Sequence, residues 1–335
     1  MLVTDLSFPF ADLALSRRLE RAEALSNARF VEARARLFPD GGSTWIEVSG
    51  ARAMFDGPSS PMTQTFGLGL FQTVTAADLD AIEAFYAERG APVFHEVSPL
   101  ADAGLAALLS GRGYHPFEFR SVLYRPIDLA GLKPCATTDN AGLKPCATTD
   151  NAGLRLSATA DNAGLKPWGT GDGPNVAQGS PIVAQGFSPA SASAAEDFSP
   201  AVSVRLIEEG EEELYARISA SGGSEFGLGD FILEIGRVSA VAEGIRLFLA
   251  ELDGTPIAAG ALGLCDGVAH LAGASTIPDG RKRGAQLALL DHRLRYAAAQ
   301  GCDVAMMAAL PGSGSQRNAE RNGFRIAYTR IKWQR

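Results

Sequence analysis

Cysteine is scarce in this sequence, which has 4 among 335 residues. Two of them, Cys135 and Cys146, occupy the same place in a repeated segment rather than forming a paired framework. No disulfide scaffold is indicated, and this usage fits a reducing compartment. Structural zinc needs closely spaced ligand pairs, whereas these two cysteines lie a full repeat apart with no histidine nearby. We therefore expect no metal.

Targeting signals and long apolar runs are also missing. The first residues contain Asp5 and Asp12 and lack a basic stretch followed by an apolar one, so no signal peptide is expected. No apolar run is long enough to span a bilayer. These absences predict a cytoplasmic protein without a membrane partner.

The sequence also lacks an excess of positive charge. The chain has 30 Lys and Arg against 38 Asp and Glu, a net charge of -8, and a pI near 5.2. The resulting negative field repels phosphate backbones, which argues against nucleic acid as a partner. Any basic cluster must therefore act locally.

A repeated, low-complexity segment divides the chain. From Ala130 the unit "AGLKPCATTDN" is written four times with increasing divergence. Its Gly, Pro and Thr/Asp/Asn content breaks helices, and its few apolar residues cannot offset the entropy of ordering. We predict a disordered linker over 128–201 that joins two folded domains, 1–127 and 202–335.

The second domain shows a clear order of elements. A strand at 202–207 and an acidic-start helix precede three strands at 245–252, 257–264 and 268–275. Asp253-Gly254 and Asp266-Gly267 separate these strands and predict tight hairpin turns. A helix over 285–300 follows, with Leu287, Leu290, Leu294 and Ala297 on the face predicted to pack on the sheet. A strand at 303–310, a short helix at 315–322 and a terminal strand complete an α+β fold with a mixed sheet.

The stretch "PDGRKRGAQLALL" (278–290) joins the third strand to this helix. Such a turn directs several backbone N–H groups into one space at the positive end of the helix dipole. Gly284 leaves room for an anion, and Arg281, Lys282 and Arg283 supply positive charge. The residues alone are equally compatible with a phosphate cradle and with a solvated basic helix start.

The context of this loop carries a resemblance. The spacing of Pro278, Arg281 and Gly284, with the order of elements, closely resembles the acetyl-CoA loop of the GCN5-related N-acetyltransferase (GNAT) superfamily. Downstream, "SQRNAERNGF" (315–324) is similar to that family's second signature, a short helix ending in Gly-Phe. The resemblance covers residues 202–335. Gln286 departs from the pattern, which has a small residue at its position.

The resemblance implies a reaction and a set of site residues. It implies an N-acetyltransferase with acetyl-CoA as co-substrate and a primary amine, on a small molecule or a peptide, as acceptor. A strand-end N–H at Thr276 would polarise the thioester carbonyl, and Ser315 would face the cofactor; both are the implied catalytic positions. The full set implied for cofactor binding is Ala274, Ser275, Thr276, Arg281, Lys282, Arg283, Gly284, Ala285, Gln286, Leu287, Ser315 and Asn318.

Two departures leave the chemistry incomplete. Ala319 occupies the position at which the family commonly has a tyrosine acid, and Gly312 replaces a frequent asparagine. His270 and Glu251 are candidate bases for the amine proton. A non-catalytic acyl-CoA-binding or interaction module is therefore the alternative function.

The first 127 residues repeat the same order of elements. "GRGYHPFEFRSVLYR" aligns with "RNGFRIAYTRIKWQR", with Gly113 on Gly323 and Tyr114 on Phe324. At the phosphate-loop position, however, "LFQTVTAADLD" has neither glycine nor a basic residue, and its acidic residues would repel a pyrophosphate. We predict a tandem fold with a degenerate N-terminal copy, in which His95 and Glu96 serve either strand packing or a substrate.

Overall fold

A computed structural model describes residues 8–127, 202–222 and 229–335. The predicted linker, with its repeats and Cys135 and Cys146, lies outside the described residues. The helices are α1 (Leu13–Leu37), α2 (Ala76–Ala87), α3 (Leu105–Gly111), α4 (Glu212–Ser221), α5 (Gly229–Ala240), α6 (Ala285–Ala299) and α7 (Gly314–Arg321). The strands are β1 (Thr44–Val48), β2 (Ala51–Phe55), β3 (Gln64–Phe66), β4 (Phe94–Val97), β5 (His115–Pro126), β6 (Val202–Leu206), β7 (Ile245–Leu252), β8 (Thr255–Cys265), β9 (Val268–Thr276), β10 (Val304–Ala309) and β11 (Arg325–Gln334).

The described strands form one mixed sheet in the order β1-β2-β3-β4-β11-β5-β10-β9-β8-β7-β6. Helices flank it on both faces, which confirms the predicted α+β class. The order also contains an exchange that no sequence pattern predicted. β5 lies between β10 and β11, and β11 lies between β4 and β5. Each half of the chain thus inserts its last strand between the last two strands of the other half.

The two predicted hairpins form as expected. Residues 253–254 and 266–267 all have positive φ, between 46° and 76°. Asp-Gly adopts this left-handed backbone conformation at little cost, and the resulting turn matches the twist of the flanking strands. β7, β8 and β9 therefore form the predicted antiparallel meander.

The helices divide between the two faces of the sheet. α6 and α7 cover one face of the C-terminal half through Leu289, Leu290, Leu294 and Phe324. On the opposite face, α4 packs against β7 and β8, and α1 crosses the strands of both halves. One residue of the predicted α6 face was wrong: Leu287 is 59% exposed, because the buried stripe of α6 follows residues 289–290, 293–294 and 296–297 and Leu287 lies at its edge.

The two halves have matching helix ends. In α3 and α7 the last turn is followed by a glycine of positive φ, Gly113 at 87° and Gly323 at 82°. The next residue is in each case a buried aromatic whose N–H donates back into the helix, from Tyr114 to Leu109 O and from Phe324 to Ala319 O. The similarity supports the predicted alignment of the halves. That the first half is a degenerate copy stays a prediction.

A buried ionic cluster joins the halves. The Arg330 side chain, on β11, is 0% exposed. Its guanidinium contacts three carboxylates of the N-terminal half: Glu20 at 3.3 Å and Glu23 at 2.6 Å on α1, and Glu96 at 3.2 Å on β4. The C-terminal strand is therefore held by charge as well as by strand pairing.

Glu20 makes the stability of this cluster depend on pH. Burial raises the pKa of its carboxyl from 4.5 to about 7, although Arg330 opposes the shift. The folded state thus binds the proton more tightly than the unfolded state, and the free energy of unfolding falls as pH rises from about 4.5 to 7.

We expect Glu20→Gln to remove this dependence. Its stability should equal that of the wild type near pH 4.5, where the carboxyl is protonated, and exceed it by up to about 3 kcal/mol at pH 8. Urea unfolding at half-unit pH intervals measures the difference. Glu209→Gln, at an exposed position, is the control, and its stability should differ from that of the wild type by the same amount at every pH. A difference in the free energy of unfolding between Glu20→Gln and the wild type that did not change with pH would contradict the prediction.

Candidate functional site

The sheet opens between β9 and β10. These parallel strands pair only over Val268–His270 and Val304–Met306. Beyond this point β9 bulges: its register with β8 shifts between Ala259 and Ala261, and Gly273 has a φ of 55°. The last residues of β9 therefore pair with β8 but not with β10, which leaves one side of their backbone open to a ligand.

A buried arginine stabilises the bulge. Arg293, on α6, donates through Nη1 to the carbonyls of Ala261 at 2.9 Å and Ala272 at 3.3 Å. Burial lowers the pKa of its guanidinium to about 10. Sequence reasoning missed this residue, although a basic side chain between Leu290 and Leu294 interrupts the apolar stripe of α6. Its role is to bind carbonyls that the irregular strand leaves without a partner.

The loop after β9 has the geometry of an anion site. Lys282 and Gly284 have positive φ values, 60° and 81°. In the described part of the chain, no backbone carbonyl accepts a hydrogen bond from the N–H groups of residues 282–284. Gly284 precedes the first helical residue without a side-chain cap, and the first amide bonded back to it is that of Ala288. Several N–H donors therefore converge at the positive end of α6.

The corresponding helix of the N-terminal half, α2, has a capped N-terminus. Thr75 and Asp78 form a capping box at the start of α2, with the Thr75 N–H donating to Asp78 Oδ2 at 2.8 Å. These hydrogen bonds lower the pKa of the Asp78 carboxyl. Leu68 and Leu70 in the preceding loop are buried. This helix start therefore already holds a carboxylate, as expected if only one half binds a phosphate.

The predicted site residues fall into two groups. Ala274 and Ser275 line a cavity on the α1 face of the sheet. Thr276 is buried, and its hydroxyl accepts a hydrogen bond from Gln286 Nε2 at 2.7 Å, so Gln286 ties the helix start to the end of β9. Ser275 Oγ donates to the carbonyl of Ser219 at 2.9 Å. The side chains of Ser275 and Thr276 are thus bound within the protein.

The remaining predicted residues surround the loop and α7. Lys282, Arg283 and Leu287 are exposed, while Arg281 and Gln286 are half-buried. Ala285 is buried in the first turn of α6. Ser315 is buried in α7, and the carbonyl of Asn318 accepts a hydrogen bond from Asn322 within the same helix. Ser315 and Asn318 do not line the cavity. Their cofactor roles, like those of the loop residues, stay predictions.

The cavity has a volume of about 230 Å³ and is built by both halves. The C-terminal half contributes Gly273–Ser275, Ala308, α4 and α5, and the N-terminal half contributes α1, β3 and β5. Phe30, Met62 and Phe66 make much of its wall apolar. It reaches the point at which β9 and β10 part, on the face opposite α6.

The two candidate bases have different surroundings. His270 is buried, lines the cavity, and has an Nδ1 without a hydrogen-bond partner. Burial lowers its pKa, although Glu23 opposes the shift, so the imidazole is neutral at pH 7. Glu251 does not line the cavity and pairs with Arg205 at 2.8 Å. Of the two, only His270 can meet an acceptor there.

His95 and Glu96 serve the packing of the N-terminal half. His95 is 0% exposed and stacks on Tyr114 with ring centroids 4.9 Å apart. Burial lowers its pKa to about 3. Glu96 pairs with Arg330, and neither residue lines the cavity. This matches the packing interpretation rather than a substrate role.

Within residues 8–127, 202–222 and 229–335, no group of three or more His, Cys, Asp and Glu side chains is placed to hold a metal ion. Cys265 and Cys302 are free thiols. None of the described helices has the length and apolar character needed to span a membrane.

The parted strands and the uncapped helix start define a fold of the acyl-CoA N-acyltransferase type. Residues 195–313 match the family model described as an acetyltransferase (GNAT) domain. The N-terminal half lies outside the matched segment. No curated protein matches the sequence.

Solved structures are similar to the chain over most of its length. A GCN5-related N-acetyltransferase from Kribbella flavida superimposes with a TM-score of 0.52 at 15% identity, covering 92% of this chain and 94% of that one. A functionally unknown conserved protein from Staphylococcus epidermidis gives a TM-score of 0.49 at 10% identity over 89% and 96% of the two chains. A tandem GNAT protein from the clavulanic acid biosynthesis pathway gives 0.45 at 13%, over 85% and 78%. At such identities the likeness concerns the fold alone.

Proposed function

We propose that the chain is an N-acetyltransferase that transfers the acetyl group of acetyl-CoA to a primary amine in a ternary complex. The observation that carries this proposal is the arrangement around β9. An uncapped helix start lies at one end of an interrupted strand, and a cavity reaches the same strand from the opposite face. The two substrates would therefore meet at the β9 bulge from opposite sides of the sheet.

The loop and α6 would hold the diphosphate of the co-substrate. The free N–H groups of residues 282–287 supply hydrogen bonds, and Arg281, Lys282 and Arg283 supply charge. The pantetheine arm would add to the open side of β9 at Ala274–Thr276. Such strand-like pairing uses backbone atoms, which fits the engagement of the Ser275 and Thr276 side chains within the protein.

The transfer step needs positioning and a polarised carbonyl. The amine attacks the thioester carbon, and a β9 N–H stabilises the oxyanion that develops. The C–S bond then breaks to release the CoA thiolate, and the proton lost by the amine passes to the candidate base His270 or to water. A thiol pKa of about 8.5 makes this thiolate a fair leaving group. Ala319, at the position of the usual tyrosine acid, is buried in the core, so we assign no protein acid to this step.

A panel of primary amines with acetyl-CoA tests the function, with free thiol as the readout. We expect thiol release that depends on both substrates. Tight binding of CoA without thiol release on any amine would instead support the alternative function, a non-catalytic acyl-CoA-binding module. That alternative is motivated by Ala319, which stands where the family commonly has a tyrosine acid. No binding of CoA would contradict both functions.

A further inference from the structure

Lys332, on β11, is a buried cation that faces the cavity without an anionic partner. Its side chain lines the cavity although the residue is only 7% exposed. Among the described residues its ammonium has no hydrogen bond and no carboxylate within ion-pair distance. Its nearest neighbours of note are the rings of Phe94 and Phe117, 5.3 and 5.6 Å from Nζ. Burying a charge this way is costly unless something else stabilises it.

The carboxylates nearest to Lys332 are already bound. Across the sheet Lys332 lies directly opposite Glu96 on β4 and Glu118 on β5. Glu118 pairs with Arg120 at 2.8 Å, and Glu96 pairs with Arg330. Both carboxylates attract the ammonium at longer range, but burial dominates and lowers the pKa of Lys332. The structure thus keeps its neighbouring acids paired with arginines.

A second cation lies in the same wall. Arg120 lines the cavity and, like Lys332, points to the α1 face, because residues 118 and 120 alternate in step with 332 and 330 across the β5–β11 pair. Its Nε is buried without a hydrogen-bond partner. Arg120 is already engaged by Glu118 at 2.8 Å and by Glu96 at 3.6 Å, so Lys332 is the cation of this wall that can supply donors to a ligand.

The position of Lys332 relative to the β9 bulge sets the length of a ligand. β11 and β9 are separated by β5 and β10, so they lie three strand spacings apart, or roughly 14 Å. The wall between them includes the apolar side chains of Phe30 and Phe66. A cavity of about 230 Å³ has room for a small molecule or one side chain rather than a folded partner.

We propose that the acceptor is a small amine that also carries a carboxylate several bonds from the amine, such as an ω-amino acid or a short peptide, and that Lys332 binds the carboxylate while the amine lies at the β9 bulge. This inference rests on the proposed function. It makes Lys332 a specificity-determining residue, supplied to the cavity by the strand that the C-terminal half inserts beside β4.

Matched pairs of acceptors test the inference. ω-Amino acids of increasing length are compared with their carboxamides and with alkylamines of the same length, by thiol release from acetyl-CoA. We expect kcat/KM to favour the carboxylate member by about ten- to a hundred-fold, the value of one charged hydrogen bond. Because several methylenes separate the amine from the carboxyl group, the amines of the acid and the amide have nearly equal basicity, so a preference reports recognition of the carboxylate.

Lys332→Met should reduce that ratio to about one through a higher KM for the carboxylate acceptors, and Lys332→Arg should restore part of it. Because the substitution removes an unpaired buried charge, we expect the Tm of Lys332→Met to be equal to or above that of the wild type, whereas loss of a merely structural lysine would lower it. Isothermal titration of 6-aminohexanoate into the CoA complex should show the same loss of affinity.

Equal turnover of acids and amides by the wild type would overturn the inference and leave the acetyltransferase intact. A preference that persists in Lys332→Met would do the same. Absence of thiol release with every acceptor would instead overturn the proposed function, and the inference with it.

Discussion

Gly284→Glu should weaken acetyl-CoA binding by two orders of magnitude or more. Apart from the adjacent residues of the chain, no atom lies within 4 Å of a Cβ added at Gly284, so the new side chain extends into open space. It places a carboxylate among the N–H donors at the start of α6. Loss of one or two charge-assisted hydrogen bonds to a phosphate costs about 1.5–3 kcal/mol each. The same carboxylate is favourable for the helix dipole, so the fold should persist.

Gly301→Glu is the matched control. Gly301 follows α6, has the same φ of 81° as Gly284, and also has no atom within 4 Å of an added Cβ. Both substitutions impose the same left-handed strain, about 1–2 kcal/mol. Calorimetric titration with acetyl-CoA, together with ligand-dependent thermal shifts, separates a local from a general effect. If the two variants lost affinity equally, the loop would not be the phosphate site.

The elements around this loop could be predicted because they depend on neighbouring residues. Asp-Gly pairs specify hairpin turns whatever lies beyond them, and the glycine at residue 323 ends α7 because the backbone there needs positive φ. The same local logic identified the uncapped start of α6. Leu287 was misplaced because it lies at the edge of the apolar stripe, where periodicity alone does not decide between burial and exposure.

The cavity and the strand exchange could not be predicted because they depend on contacts between distant residues. Pairing of β11 with β4 and β5 joins parts of the chain that periodicity treats as independent. A charged residue in an apparent strand, such as Lys332 or Arg330, is compatible with a solvated face until the helix across it is known. Only the position of α1, which brings Glu20 and Glu23 to Arg330, shows that the Arg330 side chain is buried.

Arg330→Met should destabilise the protein by about 3–5 kcal/mol, the usual cost of removing one partner of a buried ion pair. The substitution leaves Glu20, Glu23 and Glu96 buried beside one another without their shared cation. Because these carboxylates belong to the N-terminal half and Arg330 to the last strand, the loss should loosen the connection between the halves. Urea unfolding measures it, with the exposed Arg321→Met as a control expected to change little.

Adding Glu23→Gln to Arg330→Met distinguishes charge from packing. If uncompensated charge causes the loss, the double variant should recover part of the stability, and the two substitutions should be strongly non-additive in a double-mutant cycle. Simple additivity would instead assign the loss to packing of the arginine stem. The cluster also contributes Glu23 to the wall of the cavity. The exchange of strands therefore links stability to the proposed acceptor site, because the same segment of β11 carries Arg330 and Lys332.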